Sequence, residues 1–269
     1  MIESLILPLH DGFAFAATAV LAGLIGLCVG SFLNVVVYRL PLGMSLATPP
    51  SHCPSCNYRL KWYDNIPVLS YCLLGGKCRS CRTHISFRYT VVELANMALW
   101  LAAVFVWRSN ILFAAVAALA ASVCLCVFFI DLEHMLIPDR FQVMLAVLAV
   151  PATLLDTFDV WYSHLIGAVL GGGVFLLLGV LMSKKLGREA LGGGDIKFAL
   201  VSGAFLGWKR FLLMMLIASV SASVVMLVRR KKTGESRETP FGPFLTVGFL
   251  LAMFAGSTVI RAYLSLLLS

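Results

Sequence analysis

Apolar residues run through this chain in long unbroken blocks rather than in alternation. The blocks lie near positions 13–37, 90–107, 111–130, 141–155, 163–182, 196–207, 211–228 and 244–268. Crossing a bilayer as a helix takes about 20 mostly apolar residues. The pattern therefore predicts about eight transmembrane helices, the sixth short enough to be a tight hairpin partner of the seventh. A membrane barrel would need short segments of alternating polarity, and these runs are continuously apolar. Because lipid offers no hydrogen bonds to the backbone, helices remain as the spanning element. One stretch breaks the pattern. From about Pro41 to Arg88 the chain turns polar, rich in Pro, Gly, Cys, Asn and Arg. That is too long for a simple turn and predicts a small structure of its own. The expected organisation is an N-terminal transmembrane helix at 1–38, a four-cysteine insert at 39–89 and a helical bundle at 90–269.

Composition agrees with this reading. Of the 269 residues 60% are hydrophobic and 13% charged, against roughly a quarter charged in a soluble domain. The mean hydropathy is +0.94. A water-soluble globular fold is excluded, and the fold class is an all-α polytopic membrane protein. Glu3 and Asp11, with no basic leader, precede the first apolar block, which reads as a retained helix rather than a cleaved signal peptide.

The formal charge of +8 carries orientation. With eight spans, 17 of the 21 Lys and Arg residues fall on one side, in the segments 39–89, 131–140, 183–197 and 229–240, while Arg108, Lys209, Arg210 and Arg261 fall on the other. Basic loops stay in the cytoplasm, so the insert and these turns are expected to be cytoplasmic. Nucleic acid is not an expected partner, because the basic residues sit in turns where they set topology. Membrane lipid is.

The insert reads Cys53-Pro-Ser-Cys56, then Cys78-Arg-Ser-Cys81, with 21 residues between the pairs. Two C-x2-C turns at such a spacing suit a structural zinc site, in which four thiolates surround Zn2+ tetrahedrally. Cytoplasmic thiols stay reduced, which disfavours disulfides. In a short insert with little apolar content, a metal also supplies folding energy that a core cannot. Free thiols and a redox pair are the competing readings. Cys28, Cys124 and Cys126 read as packing residues and Cys72 as a spare.

Acidic residues in or beside spans are costly and therefore candidates for chemistry. Glu93, Asp131, Glu133, Asp139 and Asp195 qualify. Asp131 ends the third span, and Asp195 follows Gly192, Gly193 and Gly194 at the start of the sixth. Odd spans run inward and even spans outward, so these two turns share the cytoplasmic face although 64 residues separate them. Two facing aspartates suit acid–base work, one activating water while the other protonates the attacked carbonyl. Like charges held close share one proton. The glycines allow close approach of a substrate strand. In the plainer reading, Gly192–Gly194 is only a turn and Asp195 only a helix N-cap. Glu133 and Asp139 are expected to cap helices or shape the site, Glu93 to pair with Arg88 or Lys197, and His134 to be simply polar.

Taken together, GSFLNVVVYRLP (30–41), CPSC with CRSC, WYDNIPVLSY (62–71), ISFRYTVVEL (85–94), FIDLEHMLIPD (129–139), GGGDIK (192–197) and TPFGPFL (239–245) resemble the type IV prepilin leader peptidases. The resemblance runs in order from Gly30 to Leu245. It implies a bacterial inner-membrane aspartic endopeptidase that cuts the basic leader from type IV prepilins and type II secretion pseudopilins, after a glycine, at the cytoplasmic face. It also implies N-methylation of the new terminus with S-adenosylmethionine. The family aspartates match Asp131 and Asp195; its glycine motif matches Gly192, Gly193 and Gly194, beside Lys197; its metal-associated cysteines match Cys53, Cys56, Cys78 and Cys81. The chain has no G-x-G-x-x-G after a strand, so methyl transfer follows from the resemblance alone. The alternative class is a non-enzymatic transporter or scaffold that uses the cysteine insert to bind a cytoplasmic partner. A transporter places polar groups near mid-bilayer, whereas the acids here lie at span ends.

Overall fold

The computed structural model describes residues 12–187, 192–233 and 239–268. Glu3 and Asp11, read above as preceding a retained helix, and Arg188 and Arg237 of the basic segments lie outside these residues. The order is α1 (Gly12–Arg39), α2 (Leu69–Leu73), α3 (Arg88–Val106), α4 (Ile111–His134), α5 (Asp139–Leu155), α6 (Trp161–Leu186), α7 (Gly193–Leu206), α8 (Trp208–Thr233) and α9 (Gly242–Leu268). No strand occurs among the described residues, only two isolated antiparallel bridges in the insert. Eight of these helices coincide with the eight apolar blocks. Six of them are long and apolar enough to cross a membrane, which makes this a multi-pass membrane protein. At 17 and 14 residues, α5 and α7 are shorter than a full span.

The chain divides into two compact units between Cys126 and Val127, within α4. In the first unit α1 packs along α3. Gly26 and Gly30 form the contact, since a Cβ at Gly30 would lie 2.8 Å from the Glu93 Cα and one at Gly26 3.0 Å from the Met97 Cα. Small residues one turn apart let helix backbones touch where lipid gives no hydrophobic drive for association. A buried polar relay then locks the helices. Asn96 donates to the Gly26 carbonyl at 2.7 Å, and the Ser122 hydroxyl donates to Asn96 Oδ1 at 2.8 Å. Trp100 Nε1 in turn donates to Ser122 Oγ at 2.9 Å. Each polar group in this relay has a partner, so its burial costs little.

In the second unit α7 lies among α5, α6, α8 and α9. Its closest contact is with α6, where a Cβ on Gly203 would collide with the Gly167 carbonyl, one on Gly167 with the Gly203 carbonyl, and one on Gly171 with the Ala199 carbonyl. Phe198 and Phe205 pack their rings against Phe249 of α9, and Leu206 and Met253 are also buried. A short helix held this tightly carries whatever sits in its first turn at a fixed position.

Candidate active site

Asp131 opens the last turn of α4 and is 5% exposed. Its Oδ2 accepts the Gly242 N–H at 2.9 Å, a contact that joins the end of α4 to the start of α9 across 111 residues. A Cβ at Gly242 would fall 2.5 Å from that oxygen, so only glycine fits there. After α4 the chain turns through Met135, at φ +50°, and reaches Ile137.

Asp195 lies in the first turn of α7, outside the six membrane-crossing helices. The glycine run is less extended than the sequence suggests. Gly192 is the N-cap, with extended backbone at φ −65° and ψ 136°, while Gly193 and Gly194 are already helical. Asp195 is therefore third in the helix and does not cap it. Its own N–H donates to the Gly192 carbonyl at 3.0 Å. Gly194 is small for a packing reason, since a Cβ there would sit 3.1 Å from the Ile137 Cβ. Burial and then the neighbouring Asp131 charge push the Asp195 carboxyl up to about 7. The two aspartates thus lie within electrostatic reach of each other. Together they form an acidic pair built by the ends of α4 and α7 and braced by the start of α9.

Gln142 of α5 completes the frame. It is buried, its Nε2 donates to the Gly194 carbonyl at 3.1 Å, and its Oε1 has no hydrogen-bond partner among the described residues. Lys197 extends from the same turn of α7 and pairs with Asp139 at 2.7 Å, with both side chains more than half exposed. An exposed pair of this kind contributes little stability. Glu133 and His134 are exposed at the end of α4. Glu93 makes a contact that its sequence neighbours do not announce. Glu93 Oε2 accepts the Val68 N–H at 2.8 Å, because the insert folds back on α3 and presents the free amide at the start of α2.

Sequence reasoning missed Gly242 and Gln142 as neighbours of the acids. TPFGPFL contains Gly242, but nothing local to it points to a carboxylate so far upstream. It also missed a second charged cluster, at the other end of α5 to α8. Asp156 is flanked there by Arg210 and by His164 Nε2 at 3.2 Å, and Asp159 pairs with Lys209 at 2.9 Å. Burial alone would raise Asp156, but the His164 hydrogen bond and the Arg210 charge hold it below the usual carboxylate range.

The insert brings its four cysteines together. Their Sγ atoms all lie within 4.8 Å of one another, with Cys53 and Cys81 at 3.8 Å and Cys56 and Cys78 at 4.0 Å. Each pair sits on the same kind of turn. The Asn57 N–H reaches the Cys53 carbonyl and the Arg82 N–H the Cys78 carbonyl, with Asn57 and Arg82 both in the left-handed region. The Ser55 and Cys56 backbone N–H groups push the Cys53 thiol down, and hydrogen bonding with Thr83 pushes Cys81 down to about 6. This cluster can hold a metal ion. Asp64 braces the turns, paired with Arg79 at 2.8 Å and accepting the Lys61 N–H at 3.2 Å.

Fold and site thus define a polytopic membrane protein with a four-cysteine cluster that could hold a metal ion and two carboxylates within electrostatic reach of each other. Residues 118–227 match the "Type IV leader peptidase family" and residues 24–107 the "Bacterial Peptidase A24 N-terminal domain". A "Prepilin leader peptidase/N-methyltransferase" of Legionella pneumophila is 35% identical, over 90% of this chain and 93% of its own length. Proteins of the same description from Myxococcus xanthus and Pseudomonas aeruginosa are 39% and 33% identical, over 86% and 90% of this chain and 68% and 91% of their own lengths. The chain belongs to the type IV leader peptidase family. No solved structure matches it significantly.

Proposed function

We propose that the chain is a prepilin leader peptidase of the inner membrane that uses Asp131 and Asp195 as an aspartic protease pair. The observation that carries this reading is the convergence of these two carboxylates, 64 residues apart, at the ends of two helices. Between them the pair holds one proton at neutral pH. The ionised carboxylate takes a proton from water as its oxygen attacks the scissile carbonyl carbon. The protonated carboxyl gives its proton to the carbonyl oxygen, and a neutral gem-diol forms. The first carboxyl then passes its proton to the leaving amine as the C–N bond breaks, and one diol hydroxyl returns its proton to the second carboxylate as the diol collapses to an acid, which restores the pair. General acid–base help of this kind contributes about 10²–10⁴-fold. Gly242 holds Asp131 in place, Gln142 holds the glycine turn, and Gly192 and Gly193 leave room for the substrate backbone. With Lys197 they form the supporting set.

The substrates are prepilins and type II secretion pseudopilins, cut after a glycine at the cytoplasmic face, where the basic turns place the carboxylates. The insert holds one structural Zn2+. Bonds of about 2.3 Å to sulfur set tetrahedral ligands about 3.8 Å apart, and the observed 3.8 and 4.0 Å separations fit. Zinc there would tie the two turns together, with no part in proteolysis. Methylation of the new N-terminus is proposed from the relatives' names. S-adenosylmethionine fits neither described cleft. One holds about 490 Å³ and offers a single hydroxyl and no charge. The other, at Asn34, Ser86 and Arg88, is polar but holds only about 110 Å³, below the roughly 300 Å³ at which ligand pockets begin.

The test is to incubate the purified protein with a prepilin and follow the N-terminal mass of the product. Loss of the leader, followed by a gain of one methyl group when S-adenosylmethionine is present, is expected. An unchanged prepilin mass would refute the peptidase reading.

A further inference from the structure

The reaction proposed above leaves the outer surface of the cysteine insert unused. Two membrane-crossing helices bracket this insert, α1 ending at Arg39 and α3 beginning at Arg88. It is tied to the second of them. The Val68 N–H, at the N-cap of α2, donates to Glu93 at 2.8 Å, and Glu93 lies five residues past the first residue of α3. At 1.5 Å per residue this is about 7.5 Å along the axis, so α2 starts level with the first turns of a membrane-crossing helix. Leu69 and Leu73, one turn apart on the same face of α2, are 51% and 76% exposed. Trp62 opens a short 3-10 helix, Trp62–Asn65, that packs beside α2, and it is 80% exposed. Positive charge gathers around it. Trp62 meets the Tyr63 ring edge-on, and Lys61 Nζ and Arg79 Cζ lie 5.7 and 5.1 Å from the centre of that same ring. Between positions 40 and 87 the basic residues Arg59, Lys61, Lys77, Arg79 and Arg82 are all exposed, whereas the one acid, Asp64, is buried and paired with Arg79.

We propose that this surface docks on acidic lipid headgroups at the membrane face where α1 ends and α3 begins, with Trp62, Leu69 and Leu73 entering the interfacial layer and Lys61 and Arg79 meeting the lipid phosphates. Three features select this occupant. The Glu93 contact holds α2 at the level of the bilayer boundary, where exposed leucines have apolar surroundings within reach. An exposed tryptophan is the side chain most at home there, with its ring in the interface. The surface is basic, and each Lys or Arg close to an anionic leaflet strengthens binding about fivefold. A second copy of the chain would bring the same positive charge against it. Docking of this kind holds whatever reaction the helical bundle performs.

The test uses the full chain as purified, in nanodiscs of phosphatidylcholine alone or mixed with phosphatidylglycerol. Hydrogen exchange at the amides of α2 should slow by about fivefold or more in the mixed discs, a readout that needs no variant. With p-benzoylphenylalanine at position 73, light should link the insert to lipid, and with higher yield in the mixed discs. Lys61→Glu should narrow the difference between the two discs, and Lys61→Arg should keep it, which separates charge from packing. Equal exchange and equal linkage in both discs, linkage to a second copy of the chain instead of lipid, or a Lys61→Glu protein that matches the parent in both discs, overturns the proposal.

Discussion

Asp195 is a half-buried acid whose carboxyl is pushed up to about 7, and this has a signed consequence. Its folded-state value of about 7 lies above the ordinary 3.8, so between about pH 4 and 7 the folded protein binds more protons than the unfolded chain. Stability then falls as pH rises through that window. Asp195→Asn removes the liability. Its melting temperature should exceed that of the parent, with a larger gap at pH 8 than at pH 5, corresponding to a few kcal/mol at most. A gap that shrinks with rising pH would contradict this account. Gly242 is the second sensitive residue. Gly242→Ala puts a methyl group against Asp131 Oδ2, which must shift the carboxylate. The prediction is a fall in kcat of at least tenfold with KM little changed, since an effect on transition-state geometry alone appears in kcat. The sequence showed both acids, because an aspartate beside a span has few bland explanations. It could not show Gly242 or Gln142, whose roles come only from what folds against them.

At the scale of elements, all eight apolar blocks became helices, and α7 shows why a short block still matters. Fourteen residues do not span a bilayer, but the crossing of Gly167 and Gly171 on α6 with Ala199 and Gly203 on α7 leaves no space between the backbones. Gly203→Leu should therefore separate these helices, lower the melting temperature sharply and abolish cleavage together. A surface change on α8 such as Leu216→Ala should do neither. The small residues are visible in the sequence, but which helix they meet is not, because small-residue spacing marks a close-packing face without naming its partner. The cluster of Asp156, His164 and Arg210 was hidden for a related reason. Each of these residues looks like an ordinary loop or helix-end charge until α5, α6 and α8 bring them together.

For the whole molecule, hydropathy determined the class, and the two C-x2-C turns announced their own geometry because four thiolates at that spacing have few other uses. Cys78→Ser should reduce bound zinc from one equivalent to well below one and make residues 39–89 readily cut by added protease, as expected when a metal supplies an insert's folding energy. Metal analysis that finds no zinc in the purified parent would contradict this assignment. That Asp131 comes within electrostatic reach of Asp195 could be anticipated only by counting eight expected spans, although six helices have the length and apolarity of a full crossing. The most direct measurement is leader cleavage by Asp131→Asn and Asp195→Asn, each inserted normally in membranes. Asn keeps the shape and removes the proton chemistry, so each variant should lose at least about 10³-fold in rate. Near-normal cleavage by either one would mean that the pair does not perform the reaction.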